Sequence, residues 1–343
     1  MNTQTFNLSN KIQWKEYVNK FDNIDFHFHS DYHDLYKLRY GNSEPIMWVY
    51  ENENNLFIYP FNITRIDLDI DKNKKYFDIS SSYGFLGPAS NTNNKEFILQ
   101  AWIEFDKWAM NKNIVLEFIR FNPLLDNQNI CHKDTSVEFN RLIGVSDLRG
   151  GKPDFINKIP SKTRNMIRKA IKNDFKTTKI NFNDVKKDFM NLYLDTMKRN
   201  KSTSFFDYDS DYFDKLAKFN ETKFYGVYKG KELVAGGIFF ASNNIATYHL
   251  GACKKEFLTY GLSNLYLYDA TMDFIKKIFL YINLAGGRTT SPEDSLLRFK
   301  RDNSTDLKKF FIGKRIINKE IYNYIINKFN LLKKNDKFIF YRS

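Results

Sequence analysis

The sequence is poor in the residues that build cross-linked or disordered proteins. Its 343 residues include two cysteines, 7 prolines and 15 glycines. Cys131 and Cys253 are too far apart in the chain to suggest a disulfide framework or a metal knuckle. A disordered chain is excluded as well, because 42% of the residues are apolar and 33 are phenylalanine. The composition is typical of a globular protein with about two domains.

Long apolar runs are also lacking. The longest, at residues 236–241 and 278–285, are far shorter than the roughly 18 residues that suggest a transmembrane helix. No membrane span is therefore expected. The first residues, Met1 to Thr5, contain neither a cationic stretch nor an apolar one. This is typical of a protein without a secretory signal. We expect a cytoplasmic protein.

Several catalytic signatures are missing from the sequence. It contains no G-x-S-x-G elbow, no Walker A loop, no G-x-G-x-x-G after a strand, no H-E-x-x-H and no C-x-x-C. Nucleotide hydrolases and zinc enzymes of the common kinds are therefore not expected. His27, His29 and His33 cluster in the sequence, but their spacing matches no standard set of metal ligands. We interpret them as structural and predict no metal site.

The charge is unevenly distributed along the chain. The formal net charge is +13, yet residues 1–148 contain 15 basic and 20 acidic residues, whereas residues 149–343 contain 38 and 20. A general enrichment in lysine does not explain this contrast. A basic second half favours polyanionic ligands such as coenzyme A, a nucleotide sugar or tRNA.

Helical and strand patterns alternate along both halves, which predicts an α/β fold. The predicted elements include a basic helix at 159–173, strands at 224–228, 233–241, 245–250 and 281–284, and a last strand at 337–341. Gly150, Gly151 and Pro153 interrupt both periodicities where the charge balance changes. We therefore predict two domains, residues 1–148 and 149–343.

Two segments of the second half have the residue types of a ligand site. Arg164, Arg168 and Lys172 are four residues apart and form a cationic row on one helix face. Such a row suits phosphate recognition, with a solvated surface as an equally weighted alternative. The predicted strand 281–284 runs into Gly286 and Gly287, and glycines at a strand end let a ligand approach the backbone.

Five motifs follow one another in an order that resembles one known family. They are Tyr83-Gly84 with Gly87-Pro88, Arg120-Phe121-Asn122-Pro123, the basic segment 161–170, Thr196 to Arg199 followed by Tyr212-Phe213, and Gly286-Gly287 followed by Asp294, Phe299 and Lys300. This series resembles the Fem family, the aminoacyltransferases that build peptidoglycan bridges, and the wider group of GNAT-like acyltransferases. Asn122 replaces the family's histidine, and the long coiled-coil arm of some members is missing.

The resemblance implies two tandem GNAT-like domains with mixed, mostly antiparallel sheets, and a C-terminal segment, about 318–343, that packs back on the first domain. It also implies the roles of individual residues. Lys300 and Asp294 would be catalytic, with Lys300 at the reaction centre. Tyr83, Arg164, Arg168, Arg199, Tyr212, Gly286 and Gly287 would bind substrate.

The expected activity is transfer of an acyl group to an amine, without a metal or a tightly bound cofactor. One interpretation is an N-acyltransferase that uses an acyl-CoA donor and acts on an amino sugar or cell-envelope precursor. The alternative is a transferase that takes an aminoacyl group from tRNA and extends a peptide or a peptidoglycan precursor. The GNAT pyrophosphate loop is degenerate at residues 257–262, so the donor stays open. A non-enzymatic nucleic-acid-binding protein is a remote third possibility, and the sequence does not give the oligomeric state.

Overall fold

A computed structural model describes residues 2–37, 42–329 and 338–339. The chain forms two compact units. The first unit contains Met1–Phe21, His27–Asn140 and Phe310–Ser343, and the second contains Asp22–Phe26 and Arg141–Lys309. These bounds differ from the predicted boundary at residue 148. The division into two independent domains, residues 1–148 and 149–343, stays a prediction. Most of the predicted strand 337–341 lies outside the described residues.

Strands and helices alternate throughout both units. In chain order the strands are β1 (Asn2–Asn7), β2 (Ser43–Glu51), β3 (Leu56–Arg65), β4 (Phe77–Ser80), β5 (Ala89–Ser90), β6 (Ile114–Arg120), β7 (Ser136–Asp147), β8 (Lys176–Ile180), β9 (Thr222–Lys229), β10 (Glu232–Ser242), β11 (Ile245–Cys253), β12 (Tyr281–Gly286) and β13 (Asp306–Ile316). The helices are α1 (Lys11–Val18), α2 (Ser30–Lys37), α3 (Lys95–Asn111), α4 (Gly151–Lys158), α5 (Ser161–Lys172), α6 (Phe182–Arg199), α7 (Ser210–Lys218), α8 (Leu262–Lys276), α9 (Ser295–Asp302) and α10 (Lys319–Phe329).

The sheet of the first unit has the strand order β1-β2-β3-β4-β6-β13, with the short β5 beside β3. The pairing of β4 with β6 is parallel, and the other pairings described in this unit are antiparallel. Helix α3 has apolar residues at helical spacing and packs them on this sheet, where Phe105 contacts the rings of Trp48 and Tyr59. The interior of the first unit is therefore mainly aromatic.

A buried ion pair fixes β13 in the first unit. The Nε of Arg315 donates to Glu117 on the neighbouring β6 at 2.6 Å, and both side chains are almost completely buried. The Nη1 of Arg315 donates to Asp106 on α3 at 2.7 Å. Burial opposes the charge of Asp106, but hydrogen bonds from His132 and Arg315 keep its pKa below the usual range. Downstream, α10 places Ile325 in a small apolar cluster with Val115.

The sheet of the second unit has the strand order β7-β12-β11-β10-β9-β8. The pairing of β11 with β12 is parallel, and the other pairings are antiparallel. The prediction of an α/β chain with mixed, mostly antiparallel sheets is thus confirmed. Helices α4, α5 and α8 enclose an apolar core on one face of this sheet, and α6 packs against β10 and β11.

Strand β12 pairs with β11 over only part of its length, so the end of β12 has a neighbouring strand on one side only. Strands β11 and β12 pair from Ile245 and Tyr281 to Thr247 and Asn283. Strand β12 then continues to Gly286 beside β7. The last residues of β12 are therefore paired on the β7 side, and the peptide groups on the other side can take another partner.

We expect the buried ion pair to dominate the stability of the first unit. Arg315→Met leaves the Glu117 carboxylate buried without its partner, which costs about 3–5 kcal/mol of unfolding free energy. The neighbouring Lys314 pairs with Glu138 at 2.6 Å, but both side chains are partly exposed. Lys314→Met should cost at most about 1 kcal/mol. Urea unfolding of both variants is the measurement, and equal losses would contradict this account.

Candidate functional site

The side chain of Lys300 is buried at the end of β12. Lys300 lies on α9 and is 9% exposed. Its Nζ donates a hydrogen bond of 2.8 Å to the main-chain oxygen of Gly286, the last residue of β12. An ammonium group has three N–H donors. This contact therefore uses one of the three donors and leaves two.

The surroundings of Lys300 disfavour its charged form. Burial lowers the pKa of Lys300 to about 7, the Asp294 carboxylate opposes this shift, and the Arg141 guanidinium adds to it. Both the ammonium and the free amine are therefore populated near neutral pH. A buried lysine with a pKa close to the working pH is typical of a functional site.

Gly286 and Gly287 lie where other backbone and side-chain atoms approach closely. A Cβ on Gly286 would lie 2.9 Å from the Cδ of Arg141, and a Cβ on Gly287 would lie 2.4 Å from a carboxylate oxygen of Asp294. The Nη1 of Arg141 donates to the main-chain oxygen of Gly287 at 2.9 Å. A side chain at either position would therefore displace Arg141 or Asp294. Arg141 belongs to none of the sequence motifs described above.

A bulge shapes the strand just before these glycines. The register of β12 against β7 shifts between Asn283 and Ala285. Ala285 has a positive φ of 61°, a conformation that L-residues rarely adopt. The Oδ1 of Asn283 accepts a hydrogen bond of 2.7 Å from the Ala285 N–H, which holds this conformation. Asn283 is completely buried, and it too belongs to none of the sequence motifs.

Asp294 organises the loop between β12 and α9. One carboxylate oxygen accepts hydrogen bonds from the N–H groups of Leu296 and Leu297 and caps α9. The other accepts from the N–H groups of Arg288 and Thr289. Burial raises the pKa of Asp294, but these hydrogen bonds outweigh it and lower the pKa to about 2. The carboxylate is thus held as an anion with its oxygens directed to the loop backbone.

The basic row on α5 is only partly available to a ligand. The Nη1 of Arg164 donates to the main-chain oxygens of Ile156 and Ile159, at the C-terminal end of α4. Arg168 is exposed and donates to the side chain of Asn165. Arg164 therefore stabilises a helix junction in this structure. Its role and that of Arg168 in binding phosphate stay predictions.

Arg199 and Tyr212 contact β11 instead of the end of β12. The Nη2 of Arg199 donates to the main-chain oxygen of Cys253 at 3.0 Å. Tyr212 is buried on α7, stacks on Tyr208 with ring centroids 3.8 Å apart, and its hydroxyl lies 2.7 Å from the Nε2 of His249. The structure thus brings Lys300, Asp294, Gly286 and Gly287 together, and it does not place these two residues with them.

Tyr83 belongs to the first unit. Its main-chain oxygen accepts a hydrogen bond of 2.5 Å from the hydroxyl of Tyr32. Its ring faces the guanidinium of Arg120, with 5.4 Å from the Cζ to the ring centroid. The next residue, Gly84, has a φ of 104° and lies against the ring of His27, so glycine is required at this turn. Substrate binding by Tyr83 stays a prediction.

The histidines of the first unit are enclosed in its interior. His33 is completely buried, and burial lowers its pKa to about 3. Its Nδ1 lies 3.0 Å from the hydroxyl of Ser82, which in turn accepts from Asn62. Within the described ranges, no group of three or more His, Cys, Asp and Glu residues could hold a metal ion. Over the same residues, no helix is long and apolar enough to cross a membrane.

Comparison with solved structures confirms the resemblance at the level of the fold, which is similar to that of FemX. The structure of FemX covers 95% of this chain and 100% of its own, with a TM-score of 0.73 and 13% identity. The match to L-PGS from Bacillus licheniformis covers 95% of this chain and 97% of L-PGS, with a TM-score of 0.57 and 10% identity. The match to a conserved protein of unknown function from Bacteroides thetaiotaomicron covers 92% of this chain and 99% of that protein, with a TM-score of 0.57 and 12% identity. No protein-family model and no curated sequence matches the chain.

The buried lysine should make stability depend on pH. The pKa of Lys300 is lowered from 10.5 to about 7, so the unfolded chain binds more protons between these values. The cost of burying the ammonium is fully present below pH 7 and is relieved as the pH rises towards 10.5. Relative to Lys300→Met, the wild type should gain up to about 1.4 kcal/mol of unfolding free energy per pH unit in this window.

Urea unfolding of both proteins at pH 6, 7, 8 and 9 measures this difference. Lys162→Met, which removes an exposed lysine of α5, is the matched control. A pH-independent difference between the wild type and Lys300→Met would show that Lys300 is not held in the environment described above.

Proposed function

We propose that this chain is an acyltransferase that joins an acyl group to an amine at the end of β12. The observation that carries the proposal is the buried ammonium of Lys300, which has one N–H on Gly286 and others available to a substrate. The fold shared with FemX supports the same class of reaction.

The proposed reaction needs little from the protein beyond charge and position. The amine nitrogen attacks the acyl carbonyl, the new C–N bond forms, and negative charge collects on the carbonyl oxygen. The Lys300 ammonium donates to that oxygen and stabilises it, as a fixed positive charge does in a site with little water. The bond to the donor then breaks, and the proton lost by the amine leaves with the released donor group.

The charge of residues 149–343 favours aminoacyl-tRNA over an acyl-CoA donor. The first turn of α8 follows Gly261, where the GNAT pyrophosphate loop would lie. A Cβ on Gly261 would be only 2.8 Å from the main-chain oxygen of Met166 on α5. Gly261 therefore packs closely against α5, which the absence of a side chain permits. The large excess of basic over acidic residues after residue 148 suits a tRNA.

We propose a cell-envelope precursor with a free amine as the acceptor. The support is the resemblance to the Fem family in the order of its motifs, and the fold shared with FemX and L-PGS. Substrate binding by Arg199 and Tyr212 stays a prediction, since both contact β11 and not the end of β12. An amino sugar or a peptide fits the reaction equally, since both present a primary amine.

The test is a transfer assay with tRNA charged with labelled amino acids, or labelled acetyl-CoA, and amine-bearing envelope precursors. Lys300→Met should lower the turnover number about a hundredfold or more, because a positioned charge contributes several kcal/mol to the transition state. Lys300→Arg should retain part of the activity, since arginine keeps the charge. In the wild type, kcat/KM should fall as the pH rises through about 7.

Three results would contradict the proposal in different ways. Wild-type rates in both folded variants would remove Lys300 from the site. A rate that rises through pH 7 and is lost in Lys300→Arg would make Lys300 a proton acceptor instead. Transfer from acetyl-CoA and not from charged tRNA would reverse the choice of donor. Thermal-shift measurements with coenzyme A and uncharged tRNA give a check that does not need the acceptor.

A further inference from the structure

Arg141 and Lys300 bind the oxygens of two consecutive residues. The Nζ of Lys300 donates to the oxygen of Gly286, and the Nη1 of Arg141 donates to the oxygen of Gly287. Arg141 begins the long segment of the second unit and lies on β7, whereas Lys300 lies on α9. The end of β12 is therefore held from two separate elements.

The stem of Arg141 also fills the space beside Gly286. A Cβ on Gly286 would lie 2.9 Å from the Cδ of Arg141 and 3.1 Å from the main-chain oxygen of Leu142. The backbone at Gly286 thus packs directly on the arginine. Removing this side chain opens a gap beside the carbonyl that orients Lys300 and releases the carbonyl that follows it.

A positively charged residue at position 141 is unfavourable if stability is the only consideration. The guanidinium of Arg141 adds to the lowering of the Lys300 pKa, which means that the two positive charges repel each other. A neutral donor could hold the Gly287 carbonyl without that cost. Asp294, whose attraction opposes the repulsion, has its carboxylate oxygens bound to the loop backbone.

We propose that Arg141 is a positioning residue for acyl transfer, which holds the Gly286–Gly287 strand end so that Lys300 stays directed at the reacting carbonyl. This inference rests on the proposed function. It assigns to Arg141 no contact with the substrate. Its effect is expected in turnover, because a reacting group displaced by about 1 Å can slow a reaction about a hundredfold.

Arg141→Met and Arg141→Lys test the proposal, with Arg65→Met as a matched control. Arg65 is an exposed arginine on β3 beside Asp67. Arg141→Met should lower kcat ten- to a hundredfold with little change in KM. Arg141→Lys keeps the charge but not the planar group, so it should be intermediate. Arg65→Met should keep the wild-type kcat.

A second measurement needs no substrate. Trace labelling with acetic anhydride at a series of pH values, with mass spectrometry of the Lys300 peptide, gives the midpoint at which the Lys300 amine becomes reactive. Loss of a neighbouring positive charge should move this midpoint upwards in Arg141→Met and leave it nearly unchanged in Arg141→Lys. Arg65→Met should label as the wild type does.

A folded Arg141→Met with wild-type kcat and an unchanged Lys300 midpoint would overturn the proposal. Arg141→Lys keeps it falsifiable if the methionine variant does not fold, because a lysine variant with full kcat would show that the planar contact with Gly287 is not needed. If the wild type transfers no acyl group, the proposed function fails. The labelling result then decides the contact between Arg141 and Lys300 separately.

Discussion

Burial of the Lys300 ammonium is the constraint around which this end of the second unit is built. A positive charge with little access to water needs a nearby oxygen, and the Gly286 carbonyl supplies it at 2.8 Å. That carbonyl lies beyond Asn283, the last residue at which β12 pairs with β11. The bulge at Ala285, the glycines and the cap at Asp294 can each be understood as a condition for this one hydrogen bond.

Much of the fold follows from patterns that can be read in the chain. The basic helix predicted at 159–173 is α5, Ser161–Lys172, and the strand predicted at 281–284 is β12, Tyr281–Gly286. Strand β13 was missed because its sequence, Asp306 to Ile316, mixes lysine and arginine with apolar residues and shows no regular alternation. Its pairing with β6 is a long-range contact, which local propensity does not describe.

The site was predicted unevenly for a similar reason. Gly286, Gly287, Asp294 and Lys300 lie within one short segment, so a motif could group them. Arg141 lies on a distant strand, and nothing next to it in the sequence points to Gly287. Arg164 has the spacing of a surface cation, but its guanidinium caps α4. Helical spacing in a sequence predicts the face of the helix on which a side chain lies. It does not predict which main-chain carbonyl groups lie next to that side chain.

The ion pair between Arg315 and Glu117 also sets the order in which the chain can fold during synthesis. Glu117 emerges early from the ribosome, but its partner follows only after the whole of residues 141–309. At ordinary translation rates Arg315 is therefore synthesised about 10 to 40 seconds after Glu117. The second unit can therefore be complete before this ion pair forms.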